Sequence, residues 1–129
     1  MASLKYSLND ETMKKIILFC ITLILLSSCN DKAKIAVQNK LRNVSLEQVS
    51  WDGYSIANSL LPGETSKTYK VVDFKSDFPK RAVVKFYMKR GDNQVYLETK
   101  YIFTLDVDDN LLVVISDTTQ VINPAIPRD

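Results

Sequence analysis

The sequence predicts an all-β domain: an antiparallel β-sandwich of about seven strands, Ig-like in the broad sense, preceded by a helical leader. Three observations carry this. Apolar residues alternate with polar ones over residues 34–123, the period of a half-buried strand, and no 3.6-residue stripe competes with it. Turn signals recur about every 8–12 residues, the rhythm of a sandwich. Trp51 stands among these strands as a single large core anchor. A small barrel is the alternative architecture.

The strands follow in order. Ile35, Val37, Asn39 and Leu41 alternate with Lys34, Ala36, Gln38 and Lys40. Val44–Leu46 and Val49–Trp51 each alternate, but in slipped phase, and a β-bulge near Glu47-Gln48 accounts for the slip. Asp52-Gly53 is the pair that favours a type I′ hairpin turn, so Tyr54–Ala57 is the return strand. Leu61-Pro62-Gly63-Glu64 has the proline and glycine of a type II turn, and Thr65–Val72 follows as a strand. Asp73–Lys80, with Ser76, Asp77 and Pro79, reads as a loop. Ala82–Lys89 puts Val84, Phe86 and Met88 on one face, and Gly91-Asp92-Asn93 forms a hairpin tip. Val95–Leu105 reads as one long strand, and Asp108-Asp109-Asn110 turns the chain again. Leu111–Ile115 is apolar on both faces, as expected of a covered central strand. Two prolines then mark an irregular tail over 124–129.

The leader is the most specific stretch. Lys14 and Lys15 precede an apolar run, Ile16–Leu26, and Leu26-Ser27-Ser28-Cys29 follows. Eleven residues span only about 16 Å as a helix, against a hydrocarbon core of about 30 Å. The run suits a cleaved signal h-region, not a permanent span. The aliphatic–small–small–cysteine order is a lipobox, so Cys29 is the expected lipidation site. Cys20 has no small residues before it and is not. Met13 is the natural start, because Asp10-Glu11 puts negative charge where an n-region is positive. The expected organisation is a signal peptide over 1–28, a lipidated cysteine and tether over 29–33, the sandwich over 34–123, and the tail.

Composition excludes several functions. No cysteine follows Cys29, so no internal disulfide staples the domain. Residues 30–129 hold 14 lysines and arginines against 13 acids, which gives no nucleic-acid footprint. The chain has no histidine, the commonest general base near neutral pH. There is no nucleophile elbow and no phosphate loop. A non-enzymatic protein without cofactor or metal is expected. Asp106-x-Asp108-x-Asn110 begins like an EF-hand loop with Asp117 twelfth, but Leu111 occupies the position that needs glycine. Arg90-Gly91-Asp92 is an integrin-type tripeptide whose glycine and aspartate also serve a hairpin tip. Tyr87 and Tyr96 flank that hairpin on the face opposite its apolar row and form the candidate binding face.

The leader Lys14–Asp31, with Val49-x-Trp51, Leu61-Pro62-Gly63-Glu64, Val95–Thr99 and Asp117-Thr118-Thr119-x-Val121, resembles the small lipoproteins of Bacteroidota. The resemblance implies a lipid-anchored Ig-like sandwich in the outer membrane. For most such proteins it implies no known activity. The expected role is a binding or accessory subunit of an outer-membrane complex with an envelope protein partner; a surface adhesin or glycan-binding module is the alternative. Acidic residues after the lipidated cysteine direct such proteins to the cell surface. Here only Asp31 is acidic and Lys32 and Lys34 follow, which implies a periplasm-facing position. Asp117-Thr118-Thr119 resembles the family's O-glycosylation motif and implies a glycan on Thr118.

Overall fold

A computed structural model describes Lys14, Lys15 and residues 30–126. The signal peptide, Met13 and Cys29 therefore lie outside the described residues, apart from the two lysines. Ten strands build the domain: β1 (Asn30–Asn39), β2 (Ser45–Trp51), β3 (Tyr54–Leu60), β4 (Tyr69–Phe74), β5 (Lys80–Ala82), β6 (Val84–Arg90), β7 (Asn93–Thr99), β8 (Phe103–Leu105), β9 (Asn110–Ile115) and β10 (Val121–Ile122). They form a three-stranded sheet, β4-β1-β9, and a five-stranded sheet, β10-β7-β6-β2-β3. A two-stranded sheet, β5-β8, adds a third piece. The all-β sandwich is therefore observed, with every pairing antiparallel except β1 with β9, which is parallel.

The alternation builds the core directly. Ala33, Ile35 and Val37 of β1 point inward against Leu46, Val49 and Trp51 of β2, Val84 and Phe86 of β6, and Val113 and Ile115 of β9. Trp51 is fully buried, and its Nε1–H donates to the carbonyl of Ala82 at 3.1 Å. That bond meets the polar need of a large buried indole.

The turns take the conformations their residues favour. Asp52 and Gly53 both have positive φ (50° and 78°), closing β2–β3 with Trp51 opposite Tyr54. Gly63 has φ 86°, and the Glu64 N–H donates to the Leu61 carbonyl at 2.9 Å, as a type II turn requires. The bulge lies at Gln48 (φ 50°): the β2–β6 register slips between Glu47 and Ser50, keeping Leu46, Val49 and Trp51 all inward.

Four expectations are corrected. Asn30–Ala33 is not a tether. It is the start of β1, paired with Val71–Phe74, because Ala33 fills a core position. The strand expected over Thr65–Val72 starts later, at Tyr69, and runs on to Phe74; a 3-10 turn (Lys75–Asp77) and β5 occupy much of the expected loop. Val95–Leu105 is not continuous. It breaks at Lys100–Ile102, where the chain leaves β6 and joins β5, and Tyr101 turns out to solvent (68% exposed). Finally, β9 is an edge strand of its sheet, and the outward Leu112 and Val114 are bare.

Candidate partner-binding site

The β6–β7 hairpin presents two different faces. Strand alternation sends Phe86 and Met88 inward and Tyr87 outward, and Tyr96 pairs directly with Tyr87 across the ladder. Gly91 has φ 60° at the first position of the two-residue tip, a positive φ that glycine adopts without a Cβ penalty. Arg90, Gly91 and Asp92 are all exposed there.

The predicted pair, Tyr87 and Tyr96, is brought together. The rings are tilted at 58° with centroids 5.2 Å apart, and both are half-buried. Tyr96 donates its hydroxyl to Glu98 Oε1 at 3.0 Å. Partial burial, and then the Glu98 carboxylate, push its pKa above the ordinary tyrosine value. Across the same face, Tyr87 also pairs with Glu47, whose Oε1 accepts from Ser45 and Ser59. The face is thus an aromatic pair set among satisfied polar groups.

The other side of the hairpin opens into a groove that the sequence analysis did not single out. The Lys40–Val44 connection, Met88 and the Ser116-Asp117 turn line a cleft of about 620 Å³. It continues along Val44, Met88 and Val95 toward Arg90, and inward past Leu41, Leu97 and Val121. The floor is apolar and the rim is cationic. Lys40, Arg42 and Arg90 stand exposed on it, with Asp117 as the acid among its lining residues. Among the described residues, none of the three cations has an ion-pair partner. The signal available in the sequence was Val44, an apolar residue just outside a strand, and Met88 at the end of an apolar row.

The groove is held rigidly at one wall. Asn39, fully buried at the end of β1, donates through Nδ2 to the carbonyls of Val44 and Leu60, each at 3.0 Å. Its Oδ1 accepts from the Leu41 N–H at 2.9 Å. One amide therefore fixes the connection that forms the rim.

The remaining predicted residues are placed as follows. Thr118 is exposed in the turn after β9, its Oγ1 2.9 Å from Ser116 Oγ, beside Asp117 of the groove. Asp106 and Asp109 use their carboxylates on the backbone N–H groups of Val107 and Asp106, each at 2.8 Å. Among the described residues, no group of three or more metal-ligating side chains is assembled. No described helix is long and apolar enough to cross a membrane. Cys29 lies outside the described residues. Comparison with protein-family models, with curated proteins and with solved structures found no match.

Proposed function

We propose that this chain is a non-enzymatic, lipid-anchored envelope lipoprotein that acts as a binding or accessory subunit of an outer-membrane complex, facing the periplasm. The observation that carries the binding role is the groove: an apolar floor under unpaired cations, at the far end of β1 from Asn30. A ten-residue strand spans about 30 Å. With a lipid on Cys29, β1 sets the groove that far from the anchor, where another envelope protein can reach it. A partner segment with apolar and acidic side chains fits such a site, because it meets the floor and the rim together. The tyrosine pair on the outer side of the same hairpin offers a second contact at small entropic cost. A glycan on Thr118 is part of this reading and borders the groove.

The test is site-specific photo-crosslinking in living cells, with a photoreactive residue at position 42, 88 or 96 and a control at Ser55 on β3. One discrete adduct shared by the first three positions, and absent from Ser55, is the expected result. Labelling from no position, or equally from all four, removes the groove from the reading. Incorporation of labelled fatty acid by the native chain, lost in Cys29→Ala, tests the anchor separately.

A further inference from the structure

We infer that the outer face of the β4-β1-β9 sheet lies on the lipid bilayer that holds the anchor; the inference rests on the lipid-anchor reading above. The face follows from the register. Asn30 pairs with Phe74, Lys32 with Val72, Lys34 with Lys70 and Asn110, Ala36 with Leu112, and Gln38 with Val114. Alternation sends these to the outer side, where Ala36 is itself covered and Gln38 half-buried, since Ala33, Ile35, Val37, Val71, Val113 and Ile115 between them face the core.

Two properties single this face out. Phe74 (58%), Val72 (52%), Leu112 (50%) and Val114 (37%) are large apolar side chains left exposed on it. Lys32, Lys34 and Lys70 supply its charge, and no outward position of the three strands is acidic. Asp108 and Asp109 stand beside it, in the turn that precedes β9. The outer face of the other sheet is different in kind, with Glu47 and Glu98 set among its lysines and tyrosines.

Position selects the occupant. Cys29 is the residue next to Asn30, and Asn30 is already hydrogen-bonded strand. Consecutive Cα atoms are about 3.8 Å apart, so no slack separates an acylated Cys29 from the corner that carries Phe74. The sheet starts at the headgroups. Laid on them, it puts aliphatic side chains at the acyl boundary and lets the lysines reach anionic phosphates. This also accounts for Leu111–Ile115, a strand apolar on both faces yet covered by protein on one.

The test uses the native, processed protein reconstituted in vesicles of phosphatidylethanolamine and phosphatidylglycerol with brominated acyl chains. Phe74→Trp and Leu112→Trp each add one tryptophan to the buried Trp51, and Tyr87→Trp is the control on the opposite sheet. The expected result is blue-shifted, bromine-quenched emission from the first two and none from the third. Quenching at Phe74→Trp alone means the corner touches and the face does not, which overturns the inference. A dimer in detergent that Leu112→Lys dissociates assigns the face to a second copy and also overturns it. Mass spectrometry of the same preparation reads acylation of Cys29 independently. If Cys29 is unmodified, the anchor reading fails, and the face is judged by co-sedimentation with the same vesicles. Binding by the wild type that Phe74→Ser/Leu112→Ser loses keeps the face, and absence of binding removes it.

Discussion

The Thr99 hydroxyl accepts a hydrogen bond from the backbone N–H of Val84 at 2.9 Å, and Thr99 is fully buried. The same oxygen donates to the Tyr101 carbonyl at 2.9 Å. One side chain thus ends the β6–β7 ladder and turns the chain toward β8.

Thr99→Val keeps the shape and removes both bonds. It leaves a buried N–H and a carbonyl unsatisfied, which costs about 1–3 kcal/mol. Thr99→Ser keeps the hydroxyl and loses one methyl, about 0.8 kcal/mol. Urea melts should rank wild type, Ser and Val in that order. Equal midpoints for Ser and Val would show that the hydroxyl does not hold the break.

Phe86 and Phe103 both lie in alternating apolar rows of the sequence, yet they are not equivalent in the fold. Phe86 is 1% exposed in the centre of the larger sheet. Phe103 is half-buried, edge-on to the exposed Tyr101 at 4.8 Å. Phe86→Ala should cost about 3–5 kcal/mol through lost transfer energy and a cavity. Phe103→Ala should cost clearly less, because solvent already reaches the ring. Similar losses in paired melts would place Phe103 in the core.

Those two phenylalanines mark the limit of what local pattern reveals. Turns and the bulge were legible because Asp52-Gly53, Pro62-Gly63 and the slip around Gln48 act through their own backbone dihedrals. The break at Lys100–Ile102 was not, because it depends on a hydrogen bond from Val84, fifteen residues earlier in the chain. The parallel pairing of β1 with β9 is equally non-local, as is the edge position of β9. Apolar residues on both faces of a strand report that both faces avoid water, but not what covers them. Of the site, the tyrosine pair was legible from alternation. The groove was not, because its walls come from two connections and a strand that lie far apart in the chain.

At Gly63 no heavy atom outside its two chain neighbours lies within 4 Å of where a Cβ would stand. Any cost of substitution there is therefore a backbone cost, set by φ 86°. Gly63→Ala should destabilise by about 1 kcal/mol or more, and Gly63→Asn by less, since asparagine tolerates positive φ better. The Gly63 N–H donates to the Asn39 carbonyl at 2.7 Å, so the loss should reach the groove wall. Hydrogen exchange at Leu41 should quicken in Gly63→Ala. Unchanged exchange with a lowered urea midpoint would confine the effect to the turn.

The ion pair between Lys80 and Asp73, 2.8 Å apart, gives the domain a pH-dependent increment of stability. The Lys80 ammonium, and then the Phe74 N–H, hold the Asp73 carboxyl below its ordinary value. A depressed carboxyl contributes above its unfolded pKa, about 3.9, and loses that contribution as pH falls through the lower folded value. Lys80 is raised chiefly by Asp73, so its contribution holds below about 10.4 and is lost as pH climbs through the raised value. Asp73 is half-buried, with 30% of its side chain exposed, so solvent still reaches the pair and the increment is small and screened by salt. Wild type should exceed Asp73→Asn in urea midpoint at pH 6 and low ionic strength. The gap should close as the pH is taken down through the lowered Asp73 value. A gap that stays constant into acid would mean that the Asp73 charge is not its source.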